Sequence, residues 1–196
     1  MSIDCASSGC GGCASAGGDN DFYPSDFLAR AKERFSVRKY RDMRVEDEKI
    51  RTIIEAGRVA PTAANKQPYR IISIRSADGI AKLSKGATTF GATSAFIICA
   101  DLDAAWKRPF DGKSTSDIDA SIITDHMMHA AVDIGLGTLW MTYFDPSVIR
   151  REFKIPENFE PVNILLVGYS ADKVAPSDRH SHTRKPYGSV VIEESF

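Results

Sequence analysis

Apolar residues recur along this chain at two spacings, one of about 3.6 residues and one of two. The helical spacing is clearest over 117–135, where Ala120, Ile123 and Met127 would share a face. Short runs rich in β-branched residues, such as "PYRIISIR" at 68–75, predict strands. The predicted helices cover residues 25–35, 45–61, 78–86, 117–135 and 145–154. The predicted strands cover residues 68–75, 94–101, 138–144 and 161–170.

Each main strand has a helix beside it in the sequence, which predicts a sheet covered by helices in a three-layer α+β or α/β domain. We expect one such domain over residues 21–196. Residues 1–20, "MSIDCASSGCGGCASAGGDN", have almost no apolar bulk and predict a flexible tail. Cys99 lies within a predicted strand and is expected to be a small core residue.

Composition narrows the classes of function. With 25 basic and 26 acidic residues the formal net charge is −1, so broad nucleic-acid binding, which needs a basic field, is not expected. The sequence contains no apolar run long enough to cross a membrane, and no positively charged start followed by an apolar stretch. We therefore expect a cytoplasmic protein with neither a membrane nor a nucleic acid as partner.

Cysteine and histidine positions raise the question of a metal site. Cys5, Cys10 and Cys13 have C-x4-C-x2-C spacing, but no fourth Cys or His is close in sequence. Free thiols are therefore favoured over a zinc or iron–sulfur site. His126 and His129 lie among Met and Ala residues on the long predicted helix, and a structural role is favoured for both. No metal ligand is predicted.

The stretch "RFSVRKYR", residues 34–41, gathers positive charge in a chain that is slightly acidic overall. If the preceding helix continues through its first part, Arg34 and Arg38 are one turn apart and share a face. Guanidinium groups match phosphate oxygens in pairs, and Ser36 adds a hydroxyl donor. The alternative is a solvated surface, since runs of charge usually contact water.

Two further segments favour a phosphorylated, planar ligand. "APTAANKQPYR", residues 60–70, joins a helix end to a strand and carries Asn65 and Gln67. Their amides both donate and accept hydrogen bonds, which suits the edge of a heteroaromatic ring, although an ordinary loop has the same composition. "RHSHTRKPYG", residues 179–188, places Arg184 in a polar segment with no predicted helix.

Together these segments resemble the nitroreductase family of FMN-dependent oxidoreductases, in the family's order and spacing from about residue 27 to residue 191. The matching segments are "RFSVRKY" at 34–40, "APTAANKQPYRIISI" at 60–74, "IGLGTLWMTYFD" at 134–145, "IPENFEPVNILLVGY" at 155–169 and "TRKP" at 183–186. The resemblance implies a three-layer α-β-α sandwich of the α+β class with a mixed, mainly antiparallel sheet. It also implies a homodimer with FMN at the subunit interface.

The resemblance further implies which residues bind the phosphate end of FMN. Arg34, Ser36 and Arg38 are expected to bind the phosphate and ribityl chain, and Arg184 is expected to add a phosphate contact. Phe35 stands where many family members have a second basic residue. Only the backbone of Phe35 is therefore expected to reach the cofactor.

A second set of residues is expected around the isoalloxazine ring by the same resemblance. Its members are Asn65, Gln67, Trp140, Met141, Thr142 and Tyr143. The last four would contribute backbone groups, with an N–H of Thr142 or Tyr143 directed at flavin N5. Some branches of the family have Gly in place of Tyr143, so this side chain would narrow the space over the ring.

The implied activity is hydride transfer from NAD(P)H to the flavin and then reduction of a small-molecule electron acceptor, such as a nitroaromatic compound or a quinone. No catalytic side chain is required, because the flavin carries the chemistry. Three alternatives stay open: a relative that performs dehalogenation or flavin fragmentation, a flavin sensor or storage protein without turnover, and a metal-binding redox partner built on the tail cysteines.

Overall fold

The computed structural model describes residues 26–196, so the predicted tail and its three cysteines lie outside the described residues. The helices are α1 Asp26–Glu33, α2 Asp47–Arg58, α3 Ala77–Leu83, α4 Ser116–Asp133, α5 Pro146–Phe153 and α6 His180–Thr183. The strands are β1 Tyr69–Ile74, β2 Ser94–Asp101, β3 Gly137–Met141 and β4 Phe159–Gly168. Every helix and strand predicted from the sequence is present, and the short α6 is an addition.

The four strands form one antiparallel sheet in the order β1-β2-β4-β3. In the middle of the sheet, Ile97 of β2 pairs with Ile72 of β1 and with Ile164 of β4. At the β3 edge, Ser36 forms an isolated parallel bridge with Thr138. The prediction of a mixed, mainly antiparallel sheet is therefore confirmed.

Side chains of the central strands alternate between two apolar layers, as the two-residue period of a strand requires. Ile97 and Cys99 pack with Leu83 of α3 and Ile149 of α5. Ile98, between them in sequence, belongs to the other layer, which α2 and α4 complete. Helices therefore cover both faces of the sheet, and the expected three-layer α-β-α sandwich is confirmed.

Cys99 is 1% exposed, which confirms that it is a core residue. Burial raises the pKa of its thiol to about 12, so the thiol stays protonated at neutral pH. Within the range 26–196, no helix is both long enough and apolar enough to cross a membrane.

The segment after α1 is extended, which corrects the expectation of a continuing helix. α1 ends at Glu33, and Arg34 N makes the last helical hydrogen bond, to Arg30 O at 2.9 Å. The helix cannot continue because Val37 is drawn against the sheet edge, where it is only 1% exposed. Arg34 and Arg38 therefore share a face through the two-residue period of an extended chain and not through one helical turn.

Candidate functional site

The extended segment after α1 has one apolar side and one polar side. Val37 is buried in the core, and Phe35 is half-buried and packs against the same cluster. Alternation places Arg34, Ser36 and Arg38 on the opposite side. The side chain of Phe35 is therefore turned away from the arginines, and only its backbone lies among them.

Gly137 allows this segment to lie close against β3. A Cβ at Gly137 would be 2.7 Å from Val37 Cγ2 and 3.2 Å from Ser170 Cβ, both shorter than ordinary carbon–carbon contacts. Val37 N donates a hydrogen bond to Thr138 O at 2.9 Å, which fixes the approach. The absent side chain of Gly137 thus sets the distance between the edge strand and the segment that carries the arginines.

Three arginines, here called the arginine cluster, meet beyond the end of α1: Arg34, Arg179 and Arg184. Burial, followed by the charges of Arg179 and Arg184, lowers the pKa of half-buried Arg34, while Asp125 acts in the opposite direction. In the described part of the chain, no arginine of the cluster forms an ion pair with a carboxylate. Positive charge that is concentrated and unpaired favours binding of an anion.

Two members of the arginine cluster, Arg34 and Arg184, were predicted from the sequence, and the structure brings them close enough for their charges to interact. Arg179 was missed. It lies in the same "RHSHTRKPYG" segment as Arg184, but its spacing gives no sign of a role.

Arg38 lies at the other end of the extended segment, on the wall of a cavity of about 270 Å³. Its backbone N donates to Asp172 Oδ2, which anchors that end. The rest of the wall consists of Thr88, Phe90, Leu139, Trp140, Met141, Thr142 and Tyr143. An extended chain rises about 3.3 Å per residue, so Arg38 lies about 13 Å along the segment from Arg34. The structure thus places Arg38 beside the four β3-end residues predicted to surround a ring.

A buried polar chain fixes the orientation of Trp140. Its Nε1 donates to Asn163 Oδ1 at 2.7 Å, and Asn163 Nδ2 donates to Thr124 Oγ1 at 3.3 Å. Thr124 Oγ1 in turn donates to Ala120 O at 2.7 Å. Asn163 and Thr124 are 2% and 0% exposed, so these bonds are shielded from water. Trp140 is part of the lining of both the first cavity and a second one, of about 620 Å³, along α4.

β3 ends at Met141, whereas the sequence predicted a strand that continues to Phe144. Met141 and Ile164 form the last pair of the β3–β4 ladder. Thr142 and Tyr143 therefore leave the sheet, and both are exposed, Tyr143 by 94%. Their backbone groups lie beyond the ladder, beside the first cavity, and Tyr143 also borders a groove of about 660 Å³.

The loop that holds Asn65 and Gln67, here called the amide loop, has a left-handed backbone at three non-glycine positions. The φ angles of Ala64, Asn65 and Gln67 are +49°, +50° and +51°, a region that such residues rarely adopt. Gln67 Nε2 donates to Asn65 O at 3.3 Å, and Ala63 N donates to Asp119 Oδ1 of α4 at 2.9 Å. Strain of this kind concentrates at functional sites.

The structure leaves the amide loop apart from the arginine cluster. Asp119, which anchors the loop, and Asp125, whose charge acts on Arg34, are about 9 Å apart along the axis of α4. The cavity of about 620 Å³ occupies this stretch of α4, from Asp117 to His126. The predicted residues therefore fall into three groups: the arginine cluster, the surroundings of Arg38 and Trp140, and the amide loop.

The two histidines of α4 have separate structural partners. His126 Nδ1 lies 2.9 Å from Ile122 O, and His129 Nε2 lies 3.6 Å from Asp125 Oδ1. The ring of His129 also contacts that of Phe27, with centroids 4.9 Å apart. Among the residues that the structure describes, no three His, Cys, Asp or Glu side chains converge as a metal site.

Comparison with known proteins places this geometry in a family. The model described as "Nitroreductase family" matches residues 31–89 and 80–169. A candidate NADH dehydrogenase/NAD(P)H nitroreductase of Archaeoglobus fulgidus is 32% identical over 149 residues, which cover 71% of this chain and 83% of that protein.

Two solved structures show the same fold. A nitroreductase family protein from Clostridium difficile 630 has a TM-score of 0.86 at 46% identity, over 88% of this chain and 100% of that one. An FMN-dependent nitroreductase from Clostridium difficile R20291 has a TM-score of 0.70 at 28% identity, over 86% of this chain and 99% of that one. Since the family model also spans most of the sequence, this chain belongs to the nitroreductase family.

Proposed function

We propose that this protein is an FMN-dependent oxidoreductase that takes hydride from NAD(P)H and reduces a small acceptor such as a nitroaromatic compound or a quinone. The observation that carries the proposal is the extended segment with an unpaired arginine cluster at one end and Arg38, facing a cavity, at the other. A ligand with a doubly charged phosphate and a planar ring, joined by a flexible chain, suits this arrangement. The solved relative that is FMN-dependent supports the choice of flavin.

The residues present fit the two ends of FMN. A phosphate dianion needs concentrated positive charge, and the arginine cluster supplies it without a competing carboxylate ion pair among the described residues. A flat ring needs a wall that is fixed before the ligand arrives. The end of β3 provides one, since the Trp140 indole is held by Asn163 on one face of the sheet and Met141 is buried on the other.

Bound FMN would supply the hydride chemistry, and the task of the protein is to bind, orient and shield it. Arg34 and Arg184 would hold the phosphate, and Arg38 would place positive charge beside the ring. The N–H groups of Thr142 and Tyr143, which lie beyond the β3–β4 ladder, would be the donors to the ring edge. The mostly exposed side chain of Tyr143 would limit the size of acceptors that approach.

The test begins with the cofactor of the purified protein. We expect a yellow protein that releases FMN on heating, identified by chromatography, and oxidation of NADH or NADPH that depends on an added acceptor. Quinones, nitroaromatics and halogenated phenols should be compared as acceptors. Turnover of the halogenated phenols would reveal dehalogenation. Bound flavin without NAD(P)H oxidation would favour a sensor, and FAD, or no flavin after reconstitution, would refute the proposal.

Substitutions test both ends of the proposed FMN site. Arg34→Ala and Arg38→Ala should each weaken FMN binding by about 1.5–3 kcal/mol, the range for charge-assisted hydrogen bonds. Arg41→Ala is the matched control, because Arg41 is exposed and belongs to the same run of charge. Equal losses in all three variants would mean that the run acts only as a diffuse positive field.

We also propose that the working unit is a homodimer. The segment after α6 leaves Tyr187, Val190, Ile192 and Phe196 more than half exposed. Several large apolar side chains exposed in one segment are typical of a surface that a partner covers. Sedimentation should show a dimer, and a monomer with FMN fully bound would contradict a site shared between subunits.

A further inference from the structure

The end of α1 is fastened to the C-terminal region by one guanidinium group. Arg179 Nη1 donates to Lys32 O at 2.9 Å and to Pro176 O at 2.8 Å, and Arg179 Nη2 donates to Arg34 O. His180 Nε2 adds a contact with Lys32 O at 3.2 Å. The last carbonyls of a helix have no partner within the helix, so these donors satisfy groups that would otherwise need water.

We propose that Arg179 is a positioning residue, which holds the backbone at Arg34 so that the Arg34 side chain is presented to an anion. Three of the five N–H groups of Arg179 are committed to carbonyls, and its fork joins two segments that lie far apart in sequence. The carbonyl of Arg34 is one of the three acceptors, so a shift of Arg179 would move Arg34 itself. The inference rests on the proposed function, since FMN phosphate is the anion expected there.

Charge alone would not explain this arrangement. Arg179 stands near two other arginines, and its charge contributes to the lowered pKa of Arg34. If only charge mattered, a lysine would serve as well. A lysine ammonium cannot reproduce a planar fork that reaches two separate segments, so replacement by lysine separates the two roles.

The experiment measures binding of FMN and of riboflavin, which lacks the phosphate, to wild-type protein and to Arg179→Lys. We expect Arg179→Lys to weaken FMN binding roughly tenfold and to leave riboflavin binding unchanged. In an Arg34→Ala background, Arg179→Lys should have no further effect, because the group that it positions is gone.

Arg150→Lys is the matched control. Arg150 Nη1 also donates to two backbone carbonyls, those of Ile155 and Pro156, but at the end of α5. This variant should lose stability without losing FMN selectivity. Thermal unfolding of each variant, with His180→Ala as a milder change at the same place, separates a folding defect from a loss of positioning.

Several results would overturn the inference. The first is full FMN affinity in Arg179→Lys. The second is a loss of riboflavin affinity in this variant equal to its loss of FMN affinity. The third is additivity, in the double variant, of the losses of FMN affinity caused by Arg179→Lys and Arg34→Ala. The same variants titrated with inorganic phosphate distinguish this inference from the proposed function. If the protein binds phosphate in a manner that depends on Arg179 but does not bind FMN, the inference is supported and the proposed FMN-dependent function is refuted. If the wild-type protein binds neither phosphate nor FMN, the inference and the proposed function are both refuted.

Discussion

Replacing Gly137 by alanine tests whether close contact with β3 holds the arginine-bearing segment in place. The new Cβ would lie 2.7 Å from Val37 Cγ2 and 3.2 Å from Ser170 Cβ. Val37 is 1% exposed and belongs to the buried core cluster, so any turn of its side chain meets packed neighbours. The segment must therefore move away from β3 by about 1 Å to restore ordinary carbon–carbon distances.

Two opposing terms set the size of the effect. Forcing an extra methyl group into a packed site costs about 1–3 kcal/mol. Alanine also lowers the conformational entropy of the unfolded chain, which stabilises the folded protein by about 0.4–1 kcal/mol. We expect a net loss of about 1–2 kcal/mol in the free energy of unfolding. Because Ser36 and Arg38 move with the segment, FMN affinity should also fall, by about tenfold.

Urea unfolding and titration of flavin fluorescence measure the two effects separately. Gly57→Ala is the control, because its Cβ would lie 2.7 Å from Met127 Cγ, between α2 and α4. This variant should change stability without changing FMN affinity. Adding Val37→Ala to Gly137→Ala should recover part of both losses, with a coupling of about 1 kcal/mol. Wild-type stability and affinity in Gly137→Ala, or strict additivity in the double variant, would refute the argument.

Three further predictions concern other parts of the molecule. Asn163→Leu leaves the indole N–H of Trp140 without its acceptor, so we expect a loss of about 1–3 kcal/mol in stability and a shift in tryptophan emission; unchanged emission would contradict the buried polar chain. Deleting residues 1–20 should leave FMN content and NAD(P)H oxidation unchanged, and loss of stoichiometric zinc or iron on deletion would instead favour the metal-binding redox partner. In the truncated protein, Cys99 should not react with a thiol reagent at pH 8 until denaturant is added, because burial raises the pKa of its thiol to about 12. Rapid reaction of the folded truncated protein would show that the strand opens.

The helices and strands could be predicted from the sequence because each buries a regular face. In β2 the residues from Ser94 to Ala100 are all buried, which matches a continuous apolar run between helices. The extended segment could not be predicted in the same way, because Arg34 and Arg38 share a face at helical spacing and at strand spacing alike. Pairing with Thr138, a contact distant in sequence, decides between the two.

Arg179 shows a different limit. Its partners are backbone carbonyls, which every residue has, so neither the residue types nor their spacing can predict the contact. The acceptor at Arg34 is also 145 residues away in the chain. The amide loop was identified by composition, but its left-handed backbone was not, because alanine and glutamine give no local sign of positive φ.

The contact between the end of α1 and the segment from Pro176 to Arg184 has a consequence for synthesis of the protein. The last strand ends at Gly168, so the residues of the sheet and of its two apolar layers emerge from the ribosome before Pro176 does. The arginine cluster needs residues from both termini of the described chain and is completed only afterwards. A nascent chain released early would hold a folded sheet with no place for a phosphate. Under the proposed function, FMN would therefore be loaded only after translation has passed this segment.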